Sequence, residues 1–184
     1  DGLPAPNGST CVVQANANTL RSFLYNRQVE QFLSRAVEED LFEVHYQPIY
    51  SIRKKRFVTL EALSRLRHPE LGWISPDVFI RLAEKNRLID ALTDLQLRRV
   101  CRFLKSHEDV ARQIDSVKVN LSALNLMQEH CAERLIAILD EYALPHRLFQ
   151  FEITETVATE YSTRLSRAVD AFSQADIGLC LDDF

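Results

Sequence analysis

Along residues 19–37 apolar side chains recur at helical spacing, with Leu20, Phe23, Leu24, Val29, Phe32, Leu33, Ala36 and Val37 set among polar and charged neighbours. That period is the mark of an amphipathic helix, so a lead-in helix is expected over 19–41, connecting to an upstream signalling domain. Residues 1–18, DGLPAPNGSTCVVQANAN, lack the period and are rich in Gly, Pro, Asn and Ser, which reads as a linker or chain edge. Past residue 41 the pattern changes. FEVHYQPIYSI (42–52) and FVTLEALSR (57–65) are dense in β-formers and flank the turn-like RKKR, so they are expected to be neighbouring strands. A helical block over 75–106 opens with Ser75 as N-cap and Pro76 at the first helical position, with Phe79, Ile80, Leu82 and Ala83 to one side.

Three further strands, SVKVNLS (116–122), LFQFEITE (148–155) and IGLCLDDF (177–184), alternate with the helical stretches EHCAERLIAILDEYAL and STRLSRAVDAFSQA. Five strands, the last four separated by helices, predict βαβ units and a parallel sheet, an α/β fold.

Within this pattern Glu61 is out of place. Phe57, Val58, Leu60, Ala62 and Leu63 read as a strand buried on both faces, where an ionised group is costly unless paired or ligated. Three other strands repeat the anomaly near their C-terminal ends, with Asn120, Glu152 and Asp182. Taken singly, such a residue is usually a helix cap or a surface hydrogen-bonder. Four in successive strands point instead to convergence, because the C-terminal edge of a βα sheet is where ligands bind. An all-oxygen set without His or Cys favours Mg²⁺ or Mn²⁺. Asp183, adjacent to Asp182, could splay from it to contact a second cation about 3.5–4 Å from the first, the spacing of two-metal phosphodiester cleavage.

Composition narrows the partners. Of 184 residues 46% are hydrophobic and 26% charged, with net charge −4 and 22 Lys and Arg scattered among acids. This is a soluble chain able to bury a core, without the basic footprint of a protein that binds polymeric nucleic acid. A small anionic ligand stays open. Cys11, Cys101, Cys131 and Cys180 show no ligand spacing and read as reduced core thiols of a cytoplasmic protein. No apolar run approaches the roughly 18 residues of a membrane span, although a longer parent could be membrane-tethered. His45, His68, His107, His130 and His146 lack mutual spacing for ligation and are read as structural or surface residues.

The motifs YQPIYS (46–51), EALSR (61–65), HPELGWISPDVFIRLAE (68–84), VNLS (119–122), FEITE (151–155) and LDDF (181–184) occur in the order and spacing of a known family. The chain resembles the EAL domain, the bacterial phosphodiesterase module that opens cyclic di-GMP. The resemblance implies a TIM-like (β/α)8 barrel of EAL type whose first strand, the one holding Gln47, runs against the others. It implies that Glu61, Asn120, Glu152 and Asp182 bind one metal and that Asp183 joins Asp182 at a second. Glu155 matches the glutamate that steadies the loop after the DDF motif, and Gln47 and Arg65 match ligand-contacting positions. Glu61, Asp183 and Glu155 are thus the expected catalytic residues, with Mg²⁺ or Mn²⁺ as cofactor and cyclic di-GMP as substrate.

Departures from the family pattern are Ser64 for an apolar residue, and Arg87 and Asp176 where glycine is usual. The larger one is extent. A (β/α)8 barrel needs about 250 residues, and the family's later glycine-rich loop, lysine and acidic or amide contributions have no counterpart in the 184 residues. The expectation is therefore the N-terminal part of an EAL domain over 42–184, truncated after strand five and inactive alone, whose open edge calls for a homodimer or the rest of its barrel. The alternative to the enzyme is a catalytically weak EAL-type sensor of cyclic di-GMP or a protein-interaction module.

Overall fold

The computed structural model describes residues 17–154 and 162–182. The helix-period residues form α1 (Ala17–Glu38), which buries Val29, Phe32, Leu33 and Ala36. The N-terminal part of its apolar stripe is left exposed, Leu20 at 53%, Phe23 at 59% and Leu24 at 50%. Then come β1 (Phe42–Ser51), β2 (Arg56–His68), β3 (Gly72–Ile74), α2 (Pro76–Lys85), α3 (Ile89–Ser106), α4 (Glu108–Gln113), β4 (Ser116–Asn120), α5 (Ala123–Met127), α6 (Cys131–Glu141), a 3-10 turn (His146–Leu148), β5 (Phe149–Thr154), α7 (Ser162–Gln174) and β6 (Gly178–Asp182).

The sheet runs β1-β2-β4-β5-β6, with β3 attached to β2. β1 pairs antiparallel with β2, and β2, β4, β5 and β6 are mutually parallel. The first strand therefore runs against the four parallel strands, as expected from the resemblance, and β3, also antiparallel to β2, shares its direction. Among the described residues the sheet is open, and it holds six strands where the apolar pattern predicts five. The extra one, β3, has only three residues, too few for a period to register.

The block predicted over 75–106 divides in two. Ser75 does stand at the N-cap of α2 with Pro76 following, but its hydroxyl makes no capping bond. At Arg87 the backbone turns left-handed, φ 58°, and Leu88 N donates to Ala83 O at 2.8 Å, closing α2 before α3 begins. Asp176 takes the same conformation, φ 59°, just before β6. Both positions where the family favours glycine are thus true left-handed turns, which cost an L-residue about 1–2 kcal/mol. Arg87 already bears that cost, so Arg87→Gly is expected to hold or raise stability, by up to about 1 kcal/mol, while Arg87→Val, β-branched at positive φ, lowers it further; urea unfolding of both variants checks it.

Helices cover one face of the parallel strands. Ala62, Val117, Val119, Phe149, Phe151 and Ile153 from the sheet pack with Leu97, Val100, Leu135, Leu139 and Phe172 from α3, α6 and α7. A second core joins α1 and α2 to the β1–β3 corner through Phe32, Leu33, Phe42, Leu66, Ile74 and Phe79. The described cysteines are free: Cys101 and Cys131 buried, Cys180 half-buried. Burial raises the Cys101 thiol to about 12 and the Cys131 thiol to about 11. Alkylation at mildly alkaline pH is accordingly expected to modify Cys180 well before those two, as peptide mass spectrometry would record.

Candidate functional site

Strand alternation builds the site. On β2, Leu60 and Ala62 face the helices, so Thr59, Glu61, Leu63 and Arg65 take the opposite face. Glu61 is in register with Gln47 on β1 and with Lys118 on β4, and Asn120 with Glu152 on β5. The helix-free face is therefore a polar surface. Its lower row is tied together by Thr59–Ser116 (3.2 Å) and Ser116–Gln150 (3.2 Å) hydrogen bonds. Its upper row holds Glu61, Lys118, Asn120 and Glu152.

This corrects one expectation. β2 is not buried on both faces: Glu61 is only half-buried and Phe57 is 57% exposed, because the odd-numbered residues point away from the helices. Glu152 is the buried acid, at 3% exposure.

Asn120 Nδ2 donates to Glu61 Oε1 at 3.4 Å, so these two side chains meet. Lys118 Nζ donates to Glu152 Oε1 in an ion pair. Oxygen donors of two carboxylates and one amide suit a hard divalent cation. The nitrogen end of Asn120 faces Glu61, and ligation by its oxygen would turn the amide over. Among the described residues no group of three His, Cys, Asp or Glu side chains forms a metal cluster. Of the predicted ligands only Glu61 and Glu152 count toward one there. Asp183 and Glu155 lie outside the described residues, as does the side chain of Asp182, whose backbone is in register with Thr154.

Arg65, Asn120 and Glu152 line one cavity of about 410 Å³ between the strand ends and α2, α3 and α5. Gln96 Nε2 fixes the β2 edge from α3 by donating to Ala62 O at 2.7 Å. Ser122 Oγ donates to Glu84 while accepting from Leu124 N at 3.1 Å at the start of α5. Arg65 Nη1 donates to Ser64 O at 3.1 Å, while Gln47 is exposed and not part of that lining. Of the histidines, His68 Nδ1 accepts from Glu70 N at 3.1 Å and Leu71 N at 3.2 Å, which makes it a turn-former. Lys118 is the residue that sequence reading passes over. Its signal was the period of two, which sets it on the face of Asn120.

A family model described as the EAL domain matches residues 30–184. Cyclic di-GMP phosphodiesterase NbdA of Pseudomonas aeruginosa is 34% identical over 157 residues, 85% of this chain and 20% of that protein. Signaling protein YkoW of Bacillus subtilis is 28% identical over 155 residues, 84% of this chain and 19% of that protein. The chain thus spans about a fifth of the length of these relatives. Among solved structures, the PaMucR phosphodiesterase in complex with c-di-GMP superposes with a TM-score of 0.79 at 28% identity, over 85% of this chain and 64% of that one. The FimX EAL domain from Pseudomonas aeruginosa, bound to c-di-GMP, superposes at 0.76 over 85% of this chain and 62% of that one; at 23% identity it speaks to the fold alone.

Proposed function

The chain belongs to the EAL domain family, and from that premise we propose that it contributes the metal-binding half of a cyclic di-GMP phosphodiesterase, set in a TIM-like barrel and opening the cyclic dinucleotide to its linear form. The observation that carries this reading is the meeting of Glu61 and Asn120 beside Glu152 on the polar face of parallel strands, with Asn120 and Glu152 also lining a cavity that takes in Arg65.

Glu61, Asn120, Glu152 and Asp182 would hold one Mg²⁺ or Mn²⁺, and Asp183 with Asp182 a second. Such ions supply Lewis acidity, lowering the pKa of water and offsetting charge on the phosphodiester. The remaining roles belong to side chains of this chain. The Arg65 guanidinium, with its planar fork of donors, suits bidentate contact with a phosphate or a guanine edge. Gln47, across the β1–β2 pair from Glu61, would hold the ligand from the other side, and Glu155 would steady the loop after Asp183. Packing of the helix-covered face fixes β2, β4 and β5, so Glu61, Arg65, Asn120 and Glu152 are held before substrate arrives.

The test is to incubate the full-length protein with cyclic di-GMP and either Mg²⁺ or Mn²⁺ and to separate the products. The linear dinucleotide, absent when a chelator is added, is the expected result. Binding without turnover would transfer the reading to the EAL-type sensor or interaction module, and neither binding nor turnover would end it.

A further inference from the structure

Lys118 projects from the middle of β4 onto the polar face, in register with Glu61 on one side and Gln150 on the other. Its ammonium bonds Glu152, a carboxylate with a side-chain exposure of only 4%, while Lys118 itself keeps 26%. A carboxylate so buried is costly without a counter-charge, and Lys118 provides one. That same carboxylate is a ligand in the metal reading proposed above.

Resting on that reading, we propose that Lys118 is the resident monovalent cation of the site. It positions Glu152 in the absence of metal and competes with the divalent ion for it, so that divalent affinity is set lower than the oxygen donors alone would give. Geometry supports competition: an ion held by Glu152 must share that carboxylate with an ammonium or displace it, and like charges at contact distance repel. The Lys118 stem is long and its head partly solvated, so the ammonium can swing toward solvent when an ion arrives. Occupancy of the site would then follow the divalent concentration around it, with a folded metal-free state already held together by the Lys118–Glu152 pair.

Calorimetric titration of the full-length protein with Mg²⁺ and with Mn²⁺ tests this, comparing wild type with Lys118→Met and Lys118→Arg. Lys118→Met is expected to bind the ion roughly tenfold or more tightly, the scale on which groups touching metal ligands shift affinity. Its metal-free melting temperature should fall, because Glu152 loses its partner. Lys118→Arg, which keeps the charge, should stay near wild type in both respects. Should Lys118→Met fail to fold, Lys118→Gln retains a donor for Glu152 without the charge and serves in its place. Wild type that binds metal while the uncharged variant binds equally or more weakly would overturn the role of Lys118 and leave the metal site standing. Absence of binding in wild type and variants alike would overturn the metal reading itself, and Lys118 with it. Binding that emerges only when the charge is removed would support the competition directly.

Discussion

Glu61→Gln in the full-length protein is expected to lower cyclic di-GMP turnover at least about a hundredfold, since residues that merely support metal ligands already cost roughly 10–100-fold. The side chain stays nearly isosteric, and only its charge is lost. Nothing in the backbone of β2 depends on that charge: the strand is held by its pairing with β1 and β4 and by Ala62 beneath. The Asn120 contact to Glu61 Oε1 can be re-formed with the amide oxygen. Far-UV circular dichroism and the urea midpoint should therefore match wild type, and cyclic di-GMP should still bind through Gln47 and Arg65. Turnover equal to wild type would remove Glu61 from the mechanism, whereas a lost fold would show that its charge serves structure instead.

How much of this site the sequence disclosed depends on which physical signal carried each part. The β4 and β5 strands were plain because Val117, Val119, Phe149 and Phe151 alternate with polar residues, and the same alternation sets Asn120 and Glu152 side by side in register. The antiparallel entry of β1 came from the family resemblance, with the basic turn before Arg56 marking only that the strands adjoin. What failed was reading β2 as buried on two faces. Leu60 and Ala62 belong to the core and Leu63 to the other side, and a run of apolar residues does not separate those cases without knowing which face carries helices. Short elements were illegible for a simpler reason: β3, α4 and α5 are three, six and five residues long, shorter than any period needs to declare itself. Arginine itself gives no turn signal at Arg87, and only the family's usual glycine marks the position, the left-handed backbone there being the conformation glycine serves.

Lys118 is not legible from the oxygen donors that mark a divalent site, because it is a cation placed among them. The composition showed 22 basic residues dispersed among 26 acids, and most pairings of that kind are solvated and weak. Arg35–Glu39 and Arg112–Glu108 on exposed helix faces fit that description. The Lys118–Glu152 pair differs only by position, set on a strand whose opposite face is packed shut, and position of that kind is legible only once the sheet is registered.

The other large effect is expected at the residue preceding Glu152. Phe151 is fully buried, with its ring 4.9 Å from that of Phe172 on α7, itself fully buried, so it fastens that helix to the sheet. Phe151→Ala is expected to cost about 3–5 kcal/mol, the range for deleting a buried aromatic ring. A domain stable by about 5–15 kcal/mol would lose a large part of its margin. Because successive strand residues point to opposite faces, the same strand that sinks Phe151 into the core raises Glu152 into the polar row, and slackening one loosens the other. Phe151→Leu, which keeps most of the apolar volume, should cost less than about 1.5 kcal/mol and leave divalent affinity unchanged. Urea unfolding followed by circular dichroism, paired with Mg²⁺ titration of the three proteins, measures both quantities. A loss below about 1 kcal/mol for Phe151→Ala would show that the α7 contact is not what seats β5, and that Glu152 takes its position from its neighbouring strands and Lys118 instead.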